Sequence, residues 1–163
     1  MANAPAIVAG SGPCLGYALV NYLAAPGYLD FVWTCRAMVR SAVHLAHAVL
    51  PGMMKRGFGA FVVSGALTSL QGGHDFAAFA TAKAGLRALA RSLAQEYGSK
   101  GLHLAHIVLD GILDTGASRT LYGMAPARMM QSQCVAAACL PMAQQPEAAW
   151  THDLDLHPMG EAF

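Results

Sequence analysis

Lys83 closes the run Phe79-Ala80-Thr81-Ala82-Lys83, four positions beyond an aromatic side chain. On a helix that spacing stacks the two side chains one turn apart on one face. An ammonium there offers three hydrogen-bond donors and a positive charge at a fixed place. Just upstream lies a small polar run, Ser64-Gly65-Ala66-Leu67-Thr68-Ser69, whose hydroxyls can hold a substrate oxygen. Near the start, Gly10-Ser11-Gly12-Pro13-Cys14-Leu15-Gly16 follows the apolar run Pro5–Ala9. Glycines in such a place let the backbone turn tightly and approach a pyrophosphate, whose charge a following helix N-terminus can hold. Alone the loop is weak evidence of a nucleotide, because many strand–helix turns are glycine-rich. A fourth feature, Asp110-Gly111, closes another apolar run and precedes Thr115.

These groups need elements to position them. Residues 5–9 and Ala60–Val63 read as buried strands, as do Leu102–Leu109 and, by alternation, Trp150–Leu156. Leu15 to Ala24 reads as a helix. A longer helix follows from about Leu29 to Met54, where Val32, Cys35, Val39, Ala42, Ala46, Val49 and Met53 recur at steps of three and four. Arg36, Arg40, His44 and His47 form its neighbouring polar stripe, read as a solvated face. The lysine helix runs from about Phe76 to Tyr97, with Phe79, Lys83, Leu86, Ala90, Leu93 and Tyr97 on one face and Gly98 after it. Residues 64–75 and 112–125 read as loops, and a Met- and Ala-rich helix covers about Ala127 to Ala143.

Strands alternating with helices predict a single α/β unit over residues 1–163, with a small, mostly parallel sheet of about four strands between helical layers. In such sheets ligands sit beyond the carboxyl ends of the strands. That rule gathers the glycine loop, Ser64–Ser69 and Asp110–Thr115 on one rim.

In this order and context the motifs resemble the short-chain dehydrogenase/reductase family, a Rossmann-like fold, over residues 5–24 and nearly everything from 31 to 158. The resemblance implies an NAD(P)-dependent oxidoreductase acting on a small carbonyl or alcohol. It also implies a possible homo-oligomer, packed through the lysine-bearing helix. It places the dinucleotide on Gly10, Ser11, Gly12, Cys14, Leu15, Gly16, Lys83 and Gly111. The family's serine loop precedes a Tyr-x-x-x-Lys motif, in which the lysine lowers the tyrosine pKa and holds the nicotinamide ribose. The tyrosine then passes a proton to or from the substrate oxygen.

Here the pattern departs from the family at its working positions. Phe79 stands in the tyrosine's place and has no O–H to offer, although phenylalanine is usual there in a divergent subgroup resembling Phe-Ala-x-Ala-Lys. The serine position falls on Ala66, with Thr68 and Ser69 nearby as substitutes. Cys14 replaces the loop's second glycine, and Arg36 stands at the position of a structural asparagine. Only 69 residues separate Gly10 from Phe79, where the family fits several more strand–helix units of roughly 30 residues each. The strand whose end chooses between NAD and NADP is missing from this reading, and Asp30 does not end an evident strand. The result is a reduced, truncated version of the fold with an exposed sheet edge.

Composition narrows the classes. Hydrophobic residues make up 55% and charged residues 12%, with a net charge of +1, which argues against disorder and against a nucleic-acid surface. Glycines and prolines break the first apolar run, and Arg40, His44, His47 and Pro51 interrupt the second, so no membrane span is expected. Residues 2–29 carry no formal charge, unlike a signal peptide. Four cysteines without metal-ligand spacing read as reduced thiols and point to the cytoplasm. The seven histidines predict no metal, and His103 and His106 should face opposite sides of their strand. Two readings stand: an oxidoreductase, or a non-catalytic relative that binds nucleotide or assembles through its surfaces.

Overall fold

Three apolar runs and one alternating run pair into one all-parallel sheet in a computed structural model that describes residues 6–9, 28–74 and 76–159. The strands are β1 (Ala6–Ala9), β2 (Gly59–Ser64), β3 (Leu102–Leu109) and β4 (Asp153–Leu156), in that spatial order. Ala9 pairs with Val63, Ser64 with Ile107, and Leu109 with Leu156, so the strands end on one rim. The loop Gly10–Gly16, including Ser11, Gly12, Cys14 and Leu15, lies outside the described residues. So does the expected helix to Ala24.

Between β1 and β2 run α1 (Tyr28–Cys35) and α2 (Ser41–Arg56), joined without a break by a π-helical turn at Arg36–Arg40. Arg36, at the asparagine position of the resemblance, opens that turn and is solvent-exposed. Ser41 Oγ donates back to the carbonyls of Ala37 (2.5 Å) and Met38 (2.9 Å), occupying acceptors that the wider turn disturbs. The polar stripe Arg36, Arg40, His44 and His47 faces solvent, as its sequence pattern predicts.

Next come the short α3 (Thr68–Gln71) and the 21-residue α4 (Ala77–Tyr97). The run 64–75 is therefore not all loop: the Ser69 and Leu70 amides bond back to Ala66 and Leu67, winding one helical turn. Likewise residues 112–125 contain α5 (Gly116–Tyr122), whose start is capped by Thr115 Oγ1 accepting from the Ser118 amide at 3.0 Å. A threonine three residues before a serine is a weak cap signal, easily lost among small polar residues. The last helix, α6 (Ser132–Ala143), begins later than expected because Pro126–Arg128 form a separate 3-10 turn. Pro141 sits inside its final turn rather than ending it.

The two sheet faces carry separate cores. Phe61, Val63, Leu102 and Leu104 pack under Ala42, Ala46, Leu50 and Met53 of α2 and Ala82, Leu86 and Ala90 of α4. Val62, Ala105 and Ile107 face Cys139 and Met142 of α6. The result is three layers: helix, sheet, helix. The apolar face of α4 is turned to the sheet, so it is not the face through which a second copy would pack. Its outward side shows small residues, Ala84 and Ala88. Cys35, Cys134 and Cys139 are free thiols. Among the described residues no helix is long and apolar enough to cross a membrane.

Candidate functional site

Lys83 sits in the second turn of α4, and its side chain points at the carboxyl end of β2. It is 4% exposed, which is rare for lysine without a carboxylate partner. Its Nζ donates to the Ser64 carbonyl at 2.9 Å and stands 5.6 Å from the centre of the Phe79 ring. The ring face is a weak partner for a cation. Burial pushes the ammonium down from 10.5 to about 8. The site therefore holds a charge with one neutral acceptor and an aromatic face.

The loop beyond Ser64 continues along β3: the Gly65 amide donates to Ile107 O at 2.6 Å and the Leu67 amide to Leu109 O at 3.1 Å. Ala66 is half-buried and its carbonyl accepts from the Ser69 amide. Thr68 Oγ1 and Ser69 Oγ are shielded from solvent and have no partner among the described residues. Two orphaned hydroxyls beside a turn are unusual, since buried polar atoms are normally paired. Structure thus brings Lys83, Phe79 and Ser64 together, with Ala66, Thr68 and Ser69 on the loop that leaves Ser64.

Gly111 follows β3 on the same rim. A Cβ there would lie 2.7 Å from Pro158 Cδ and 3.1 Å from Met130 Sδ, so close packing already requires glycine without any ligand. Three residues on, Asp114 is clamped by Arg119 Nη2 at 2.8 Å and by Gln131 Nε2 at 3.0 Å. Those bonds, Arg119's first, hold its carboxyl at about 2.

Beneath the Ser64–Gly65 peptide lies a polar chain that the sequence reading missed. His106 is fully buried, with Nδ1 3.0 Å from Asp153 Oδ1, and Arg87 Nη2 donates to Asp153 Oδ2 at 2.9 Å. His106 faces α4, while His103 stacks on Trp150 with ring centres 5.0 Å apart. The signal was present: Arg87 lies one turn beyond Lys83, and strand alternation puts His106 on the same side as Leu102 and Leu104. Reading the histidines only as metal ligands hid it. Among the described residues no group of three such side chains can hold a metal ion. Surface hollows of about 410 Å³ along Trp33, Arg36, Arg40 and His44, and about 300 Å³ between Arg91, Gln95 and Trp150, do not reach Lys83.

Residues 21–149 match the family model described as enoyl-(acyl carrier protein) reductase. The chain belongs to the short-chain dehydrogenase/reductase family. The 3-oxoacyl-(acyl-carrier-protein) reductase FabG of Escherichia coli (strain K12) is 35% identical over 81 residues, covering 50% of this chain and 33% of that protein. D-xylose 1-dehydrogenase of Caulobacter vibrioides is 28% identical over 103 residues, covering 63% of this chain and 42% of that protein. This short-chain dehydrogenase/reductase thus spans between a third and a half of the length of these relatives. The fold matches the NADPH-bound short chain oxidoreductase of Pseudomonas aeruginosa PAO1, described as containing an atypical catalytic center. That match has a TM-score of 0.74 at 19% identity, covering 97% of this chain and 65% of the other.

Proposed function

We propose that this chain binds NAD or NADP and acts as an oxidoreductase-type protein on a small carbonyl or alcohol, without a tyrosine acid. One observation carries this reading: Lys83 keeps a buried ammonium at the sheet's carboxyl rim with no anion beside it among the described residues. Structural lysines do not bear that cost without a return, and an incoming ribose or phosphate oxygen would supply it. Lys83 and the loop Gly10–Gly16, with Gly111, would hold the dinucleotide. When bound, a nicotinamide supplies the hydride.

The protein's own groups then divide the remaining work. Lys83 offers the donors not used by Ser64 O, and its ammonium, near 8, holds or releases a proton close to neutrality. Thr68 or Ser69, whose hydroxyls have no partner, would hold the substrate oxygen. Phe79 covers one side of the ammonium and moves no proton, so a bound water on the substrate side would relay it. Self-association belongs to the same proposal, through the outward side of α4 rather than its core face, as does a cytoplasmic location.

A second reading is favoured by a specific fact. Phe79 and Ala66 together remove both hydroxyls of the family's pattern, which suits a shortened, non-catalytic relative that binds nucleotide or assembles. Titration with NADH and NADPH separates the cases, using Trp33 and Trp150 as energy donors to the reduced cofactor. Saturable binding, weakened at least ~10-fold by Lys83→Ala (about 1.4 kcal/mol), is expected. A carbonyl screen then distinguishes turnover from binding alone. No binding up to millimolar cofactor by the folded protein would sink the dinucleotide reading.

A further inference from the structure

His106 occupies a place that neither the family pattern nor the chemistry above uses. Its imidazole lies against Gly65: a Cβ at that glycine would meet His106 Nε2 at 2.0 Å and Cε1 at 2.5 Å. The ring therefore fills the volume that a side chain at position 65 would need. Its orientation is fixed from behind, because Nδ1 faces Asp153 Oδ1 at 3.0 Å and Arg87 holds the other carboxylate oxygen at 2.9 Å. A carboxylate opposite Nδ1 requires a proton there, which leaves Nε2 a bare acceptor without a partner.

We propose that His106 is a positioning residue: held by Asp153 and Arg87, its ring props the Ser64–Gly65 peptide and so fixes the carbonyl that binds Lys83. The chain of contacts is continuous, from Arg87 through Asp153 and His106 to Gly65, then from the Ser64 carbonyl back to Lys83, one turn before Arg87 on α4. The role rests on Lys83 being the residue that receives the dinucleotide.

The same arrangement makes the prop acid-sensitive. The charged groups facing His106 are Asp153 from β4 and Lys83 and Arg87 from α4. Burial pushes the imidazole down from its ordinary value; Asp153 pulls it up, and Arg87 and Lys83 push it down again. As pH falls below 6.5 and then through this lowered value, protonation adds a third cation to a site with one carboxylate. The Ser64 carbonyl then loses its fixed support.

The test needs no cofactor, so it stays informative if the dinucleotide reading fails. The chain has only two other lysines, Lys55 and Lys100, which serve as internal controls. With ¹³C-labelled lysine, the Lys83 ε-carbon is followed by NMR from acid to alkaline pH. Wild type should titrate near 8 and show a second inflection in the histidine range. His106→Gln, which keeps an amide toward Asp153, should retain the first midpoint and lose the second inflection. In folded His106→Ala, water reaches the ammonium and the midpoint should rise by about one pH unit or more toward the free-lysine value. A second inflection absent from wild type or persisting in His106→Gln overturns the proposal. So does an unmoved midpoint in folded His106→Ala. If His106→Ala does not fold, the wild-type and His106→Gln profiles decide alone.

Discussion

Lys83, which is buried, and Asp114, which is half-buried, are both charges on the carboxyl rim of the sheet, and the fold treats them oppositely. Asp114 is gripped by Arg119 and Gln131, and its carboxyl is held at about 2. Lys83 has one carbonyl and an aromatic ring, and its ammonium is pushed down to about 8. One charge is answered by side chains of the protein; the other meets no carboxylate among the described residues, and on the proposed reading it awaits the dinucleotide.

The contrast breaks most sharply at Lys83 itself. Folded Lys83 binds its proton less readily than the unfolded chain does, so wild-type stability should rise between about pH 8 and 10.5. That difference corresponds to about 3 kcal/mol. Lys83→Met removes the uncompensated charge but orphans the Ser64 carbonyl. It should therefore stabilise the protein by about 1–3 kcal/mol at pH 7. Urea unfolding should show the gain vanishing by pH 10.5, while binding of reduced cofactor is lost. A variant less stable than wild type at pH 7 would mean that Lys83 has an internal partner after all.

Gly65→Ala attacks the same corner from its floor. The new methyl would overlap the His106 ring, and overpacking of this kind costs about 1–3 kcal/mol. An unchanged denaturation midpoint would show that the imidazole does not lie under that peptide.

The smallest effect belongs to the answered charge. Asp114→Asn should leave the sheet's circular dichroism unchanged while speeding tryptic cleavage after Arg119 and Arg128. In wild type the same loosening should appear only in acid, as pH falls below the ordinary carboxylate value toward about 2 and Asp114 takes up its proton. Equal cleavage rates in both proteins would mean that the clamp holds nothing.

Much of this geometry was readable without coordinates. Helical periodicity put Lys83 and Phe79 one turn apart, and strand grammar put Ser64 and Asp110 on one rim. Those features depend on local spacing, which sequence carries directly. The His106–Asp153–Arg87 chain joins three elements, with His106 and Asp153 47 residues apart. No local period encodes a contact of that kind. The Asp114 clamp was hidden for a related reason, because Gln131 reaches it across a loop. Short α3 and α5 were missed because one or two turns of small polar residues carry little periodic signal.

That loop has a topological consequence. The connections β2–α4–β3 and β3–α6–β4 step in the same direction across the sheet, yet α4 and α6 cover opposite faces. The two crossovers must therefore have opposite handedness, although strand twist strongly favours one hand. The Asp114 clamp and the Leu113–Met130 bridge lie between β3 and α6, where the path changes sides. The clamp thus ties together the two ends of the segment that carries the chain from one face of the sheet to the other.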